Sequence, residues 1–269
     1  MIRALLVLVG LIMLAVPDGA RAQIDVLEPD ADSYVRTDVN SRRNDNYGCD
    51  PNIIVGTGRG GGGMPFGAPD AIRLLLQFDL SGFTQPTSLA VLELTISNFH
   101  SDDGPQTFVL QAHRLLSPWN EGNGNEQTND TPAGCVPVDP AFGMAWVGAG
   151  DGGDDNNQTQ PDFDPTITAT EIVDMVESGG TGEIRHWDVT TLVNGWITGV
   201  WPNHGIVIRD PTSDGPTFRQ IGFGSSETES VVSNDPNWPS VTPGPRLKLY
   251  QTVAVESQSW GQTKAMYQD

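Results

Sequence analysis

The sequence predicts an all-β protein: a β-sandwich of short strands with one or two short helices and a long loop insertion. Three observations carry this reading. Glycine and proline are frequent, 31 and 20 of 269 residues, so turns are many and long helical periods few. Apolar residues alternate with others over short runs, most clearly Leu89, Val91, Leu92, Leu94 and Ile96 against Ala90, Glu93 and Thr95. Strands with a largely apolar inner face also need a second layer to cover it, and two packed sheets supply one.

The chain opens with Arg3, an apolar run over residues 4–16 and the small-x-small pattern Ala20-Arg21-Ala22. These are the marks of a signal peptide, residues 1–22, cleaved before Gln23, so the expected location is secreted or at the cell surface. No later stretch approaches the roughly 20 apolar residues of a membrane-spanning helix, and no span is expected. Short strands are expected at residues 24–27, 33–36 and 52–55. Residues 56–69 are too rich in glycine to pack a side-chain core. Gly56, Gly58 and Gly61 fit a GxGxxG pattern, yet Pro65 and Pro69 prevent the helix that a dinucleotide site requires.

Strands follow at residues 72–78, 89–96 and 108–115, joined by turns rich in Gly, Pro, Asp and Ser. Residues 120–165 form the long insertion, with glycosylation-type sequons at Asn129 and Asn157. Its acidic run, with Asp151, Asp154 and Asp155, has the composition of an oxygen-ligand calcium loop without the positional code of an EF-hand; a solvated acidic loop is the other reading. Thr168 and Glu171 make a capping-box pattern, with Ile172, Val173 and Val176 on one side, which predicts a short helix ending at Gly179-Gly180. A second helix is expected over residues 188–198, capped by Asp188 or Thr190, with Leu192, Val193, Trp196 and Ile197 as its buried stripe and Gly199 as its stop. Final strands at 205–209, 219–223 and 246–250 close one domain over residues 23–252, followed by a polar tail, 253–269.

Charge narrows the partners. The chain has 14 Lys and Arg against 34 Asp and Glu, a net −20; removal of Arg3, Arg21 and Asp18 with the signal leaves 12 and 33, or −21. Nucleic acid is excluded as a partner, because binding it depends on basic side chains displacing counterions. Two cysteines, Cys49 and Cys135, are the whole inventory, and in an oxidising compartment such a pair predicts a disulfide, or two free thiols if they lie apart. Closing a loop of that length contributes about 4–5 kcal/mol in the chain-entropy picture.

The pattern does not favour an enzyme. His100, His113, His186 and His204 occur singly, with no HExxH, and no serine sits in a GxSxG elbow. Tyr34, His113 and Arg36 are the set a polysaccharide lyase would draw on, and they stand as the catalytic alternative.

Several motifs together resemble a known family. Ala31-Asp32-Ser33-Tyr34-Val35, the loop Asn46-Tyr47-Gly48 and the run from Arg73 through Phe78-Asp79-Leu80-Ser81 are similar in order and spacing to the opening of DNRLRE-type, disaggregatase-related domains. The turn Ser117-Pro118-Trp119-Asn120-Glu121-Gly122 fits their Trp-x-Glu-Gly turn. Trp187-Asp188-Val189-Thr190 with Gly195-Trp196, followed by Asn203, Gly205 and Ile206, is the most specific piece. Residues 56–69 and 120–165 depart from the family pattern. The resemblance implies a jelly-roll β-sandwich similar to carbohydrate-binding modules, on an exported protein and associated in some members with acidic polysaccharides.

On that basis the expected activity is non-catalytic binding of a polysaccharide, acidic in character. Arg36, Arg42, Arg43 and Arg59 are the densest positive cluster and the expected binding patch, since a chain this negative repels an acidic glycan elsewhere. Trp119, Trp146, Trp187 and Trp196 read as core anchors. Trp201, Trp238 and Trp260 lie in Pro- or Gly-flanked polar context, and Trp201 and Trp238 join the expected binding set. Asp32 and Glu227 are expected to share a structural calcium or to be hydrogen-bonded on the surface. The alternative function is an extracellular matrix or surface assembly protein that self-associates.

Overall fold

A computed structural model describes residues 22–36, 47–48, 50–58, 70–102, 104, 106–121, 162–175, 180–212, 218–229 and 243–252. Eleven strands and one helix follow in chain order: β1 (Ala22–Leu27), β2 (Ala31–Arg36), β3 (Asn52–Gly58), β4 (Asp70–Gln77), β5 (Leu89–Ser101), β6 (Thr107–Arg114), β7 (Ala169–Asp174), β8 (Ile184–Asp188), α1 (Thr190–Ile197), β9 (Ile206–Arg209), β10 (Arg219–Gly224) and β11 (Arg246–Thr252). Every pairing is antiparallel, and the strands run β1-β11-β5-β10-β3-β4-β9-β6-β7, with β2 beside β4 and β8 beside β5. The fold is all-β, a single sheet curled into a sandwich, as the alternation and turn density predict.

The curl hinges on β5. Its first half, residues 89–95, lies between β11 and β8 (Leu92 opposite Leu247 and Trp187), whereas its second half pairs with β10 up to Arg219 opposite Ser101. One strand thus serves both layers. The interior joins Leu92, Leu94 and Ile96 of β5 to Leu74 and Leu76 of β4, Phe108 and Leu110 of β6, Ile206 and Ile208 of β9 and Phe223 of β10, all buried. Trp187 fastens the layers together: it is buried, meets Phe223 edge-on at 6.2 Å, and its indole N–H donates to the Leu110 carbonyl at 3.2 Å. Burial of an indole with its one donor satisfied is what makes tryptophan an effective core anchor.

The helix expected at residues 188–198 is α1. Its buried side is Leu192, Val193, Gly195 and Trp196, and Gly199 ends it at φ +71°. Val189, not the expected Asp188 or Thr190, stands at the N-cap and no side chain caps the helix; Asp188, one residue earlier, accepts the Thr190 N–H at 3.0 Å. An amide clamp docks the helix: the Asn194 side chain donates to the Thr87 carbonyl at 2.9 Å and accepts the Thr87 N–H at 2.8 Å.

The helix predicted after Thr168 is not there. Residues 169–174 are β7, paired with β6 from Ala112↔Ala169 to Thr107↔Asp174. Ile172 and Val173 fit either period in so short a run, but only Val173 is buried, opposite Phe108, while Ile172 is exposed. The neighbouring strand supplies hydrogen-bonding partners to the whole segment, and β-branched Thr170, Ile172 and Val173 suit a pleated surface. Strand β8 was not expected as a strand.

A second, smaller cluster sits on the other face of the β2-β4-β9-β6 region: Val35, Leu75, Leu115, Phe163 and Val207, with Trp119 against it. Phe163 belongs to the returning end of the long insertion and pairs with Leu115, so residues 162–165, expected within the loop, are already part of the packed structure. Among the described residues no helix is long and apolar enough to cross a membrane.

Candidate functional site

At the end of β6 the inward row Phe108, Leu110, Ala112 continues to Arg114. A charged side chain is tolerated at this position because the sandwich opens there into a groove of about 270 Å³ between β6, the segment Asp164–Thr168, α1 and Trp201. Arg114 donates from Nη2 to Asp164 Oδ2 at 2.9 Å. The other oxygen, Asp164 Oδ1, accepts the Thr166 N–H at 2.9 Å. These contacts, led by the Thr166 N–H, hold the Asp164 carboxyl below its usual range, so it stays ionised. The segment itself is pinned to β6 by Asp164 N–H to the Arg114 carbonyl (2.8 Å) and Thr168 N–H to the Ala112 carbonyl (2.9 Å).

The apolar wall is Trp201, Leu192 and the exposed Ile167. Trp201 is half-buried, and its backbone N–H donates to the Gly195 carbonyl at 3.2 Å. Its ring packs so closely on α1 that a Cβ at Gly195 collides with it, and the Arg114 guanidinium lies 5.0 Å from the ring centroid. The expectation of an openly exposed stacking surface at Trp201 is therefore modified: the ring is seated, and it helps wall a groove. Thr166, Thr168 and Thr191 place hydroxyl-bearing side chains along the same opening.

Behind this segment His113 is buried on the opposite face of β6. Its Nδ1 donates toward the carbonyls of Asp164 (3.0 Å) and Thr166 (3.2 Å), and the ring packs against Phe163. Burial, with the Arg209 charge acting in the same direction, pushes the imidazole below its usual pKa, and among the described residues Nε2 has no hydrogen-bond partner. His204 is also lowered, by burial first and by Arg114 second.

The second place where ionisable groups gather is around Asp32. Its Oδ2 accepts the Ser226 N–H at 2.7 Å, and its own N–H donates to Glu121 Oε1 at 2.7 Å. Burial raises Asp32 to about 6, and the nearby Glu227 charge adds to this. Glu121 is raised to about 7, again by burial first, with Asp32 and Glu227 contributing. Asp32 and Glu227 are thus neighbours, and Glu121 of the expected Trp-x-Glu-Gly turn joins them. Yet among the described residues no group of three His, Cys, Asp or Glu side chains is arranged to hold a metal ion. Asp32 Oδ2 accepts a backbone N–H, and burial displaces both Asp32 and Glu121 toward the protonated form.

Other sequence candidates fall elsewhere. Arg36 is the last residue of β2, opposite Ile72. Arg42, Arg43, Arg59, Trp238, Asp151, Asp154, Asp155, Cys49 and Cys135 lie outside the described residues, as do Trp146 and Trp260. Tyr34 is buried on the interior face, donating to Asp50 Oδ2 at 2.9 Å and stacked on Tyr47, whereas His113 is on the opposite face of the same sheet. The lyase set is therefore not brought together. Arg114, Asp164 and the threonines were missed by sequence reasoning. The local signal available was Asp164-Pro165-Thr166, an Asx-turn pattern that re-enters the fold after the insertion.

No protein-family profile matches the chain, and no curated protein matches it either.

Proposed function

We propose that this chain is an exported, non-catalytic polysaccharide-binding module and that its ligand occupies the groove beside Trp201. The observation that carries the reading is the groove's make-up: a seated indole and aliphatic wall facing an ion pair and a row of hydroxyls. A largely apolar concavity with a few fixed polar groups is the usual form of a small-ligand site, and sugars offer apolar C–H faces and hydroxyl rims to match. The all-β sandwich and the DNRLRE resemblance favour the same reading. The acidic preference expected from Arg36, Arg42, Arg43 and Arg59 rests on side chains outside the described set.

Affinity electrophoresis of the mature chain through alginate, pectate and neutral glucan gels tests this. Retardation on at least one polymer, weakened by Trp201→Ala, supports it; free migration through all of them sinks it. One feature favours the alternative of an assembly protein: Ile24 and Val26, about half exposed, share the outward side of the edge strand β1. Such an edge is a template for pairing with another chain. Concentration-dependent growth of the sedimentation coefficient, together with free migration in the gels, is the outcome that selects it.

A further inference from the structure

We infer that the Trp201 groove takes an uncharged sugar residue, at a chain end or branch, and discriminates against uronates; this rests on the groove being the glycan site. Size comes first. Ligand pockets for drug-sized molecules span roughly 300–1,000 Å³. A volume of about 270 Å³ falls just below that range and suits a single ring better than an extended chain.

Charge decides the class. Among the described residues that line the groove Arg114 is the one cation, and Asp164, on the same wall, neutralises it at 2.9 Å. Asp164 is fixed as an anion by the Thr166 N–H as well as by Arg114. A sugar carboxylate entering the groove meets an ionised carboxylate already holding the Arg114 guanidinium. It must break that pair or approach Asp164 unpaired, and either course leaves a partly desolvated charge without its partner. The chain's net charge of −20 opposes the approach of a polyanion at long range as well. What the groove does offer is neutral recognition: hydroxyls of Thr168 and Thr191, Arg114 donors beyond the one given to Asp164, and the apolar flank of Trp201, Leu192 and Ile167.

The test is titration calorimetry of the mature chain with cellohexaose, mannohexaose, xylohexaose and trigalacturonate, each at low and high salt. The expected result is binding of at least one neutral oligosaccharide with an affinity insensitive to salt, and at least tenfold weaker binding of trigalacturonate. Thr191→Trp, at an exposed helix position, fills the groove without disturbing the core and is expected to weaken neutral binding at least tenfold. Asp164→Asn leaves Arg114 unneutralised and is expected to raise trigalacturonate affinity in low salt only. Binding of trigalacturonate alone by the unmodified chain overturns this inference while the polysaccharide-binding reading stands. Neutral binding untouched by Thr191→Trp places the ligand elsewhere and overturns it too. No binding of any oligosaccharide, with free migration in the polymer gels, overturns both.

Discussion

Asp164 and Asp32 are the same side chain driven in opposite directions. Asp164 sits at the rim of the groove, half-buried, with a guanidinium on one oxygen and a backbone N–H on the other, and its pKa is lowered. Asp32 also accepts a backbone N–H, but it is buried beside Glu121 and Glu227, and its pKa rises to about 6. Hydrogen bonds from Ser226 are therefore not enough to keep this buried carboxylate ionised; a cation or contact with water is needed as well. The rim pair suits recognition because its charge is fixed near neutral pH. The buried cluster changes protonation in that same range, so its consequences appear in stability.

The largest expected effect follows from relieving the cluster. A folded pKa above the unfolded one means the native state holds its proton more tightly. The contribution of Asp32 and Glu121 is thus fully present below about pH 4 and is lost as pH rises through about 6 and about 7. Asp32→Asn is expected to raise stability at pH 8 by up to about 3 kcal/mol, the equivalent of a two-unit shift, and to flatten the fall in melting temperature between pH 5 and 8. Calorimetric melting of both proteins across that range checks it; an Asn variant less stable at pH 8 refutes the account of the cluster.

Next in size is Gly195→Ala. Alanine is the better helix former, but its Cβ collides with the Trp201 ring, and overpacking of this kind typically costs about 1–3 kcal/mol. The indole is expected to leave its seat, seen as a red-shifted tryptophan emission together with weaker retardation in the polymer gels.

Asp164→Ala probes the other side of the comparison. It removes a partly exposed ion pair and the Thr166 turn contact, with an expected loss of about 1 kcal/mol at pH 7. Because the Asp164 pKa is lowered, that contribution is present above the unfolded value and fades as pH falls below about 4, so the two proteins should converge in acid.

The smallest effect belongs to His113, which faces Arg209 and the Asp164 and Thr166 carbonyls. Its lowered pKa means the unfolded chain takes up the proton first, so stability is lost as pH falls below about 6.5. This opposes the gain from Asp32 and Glu121 over an overlapping window. His113→Gln is expected to steepen the net rise in stability from pH 6.5 to 5 by less than about 1 kcal/mol, measurable by urea denaturation at each pH.

Much of the framework was legible because its signals are local. The apolar run from Leu89 to Ile96 marks β5, although Ala90 rather than Leu89 faces the core, and the stripe Leu192, Val193, Trp196 with Gly199 marks α1. Strand β7 was misread because a capping-box pattern and two adjacent β-branched residues satisfy both periods over six residues, and only the β6 partner decides. The site was less legible still. Arg114 and Asp164 lie fifty residues apart across the insertion, and their meeting depends on Phe163 packing beside Leu115. Trp201 was singled out by its context, yet its role as a wall depends on the missing Cβ at Gly195, six residues earlier. The cluster of Asp32, Glu121 and Glu227 draws on three distant segments, and sequence supplied two of its three members.

The pairing of β1 with β11, from Ala22↔Thr252 to Leu27↔Leu247, sets the timing of folding. Strand β1 finds its neighbour only at the far end of the described residues. At roughly 5–20 residues per second, that leaves β1 unpartnered for on the order of tens of seconds on the ribosome. A sheet closed by such sequence-distant contacts is a slow folder by topology alone.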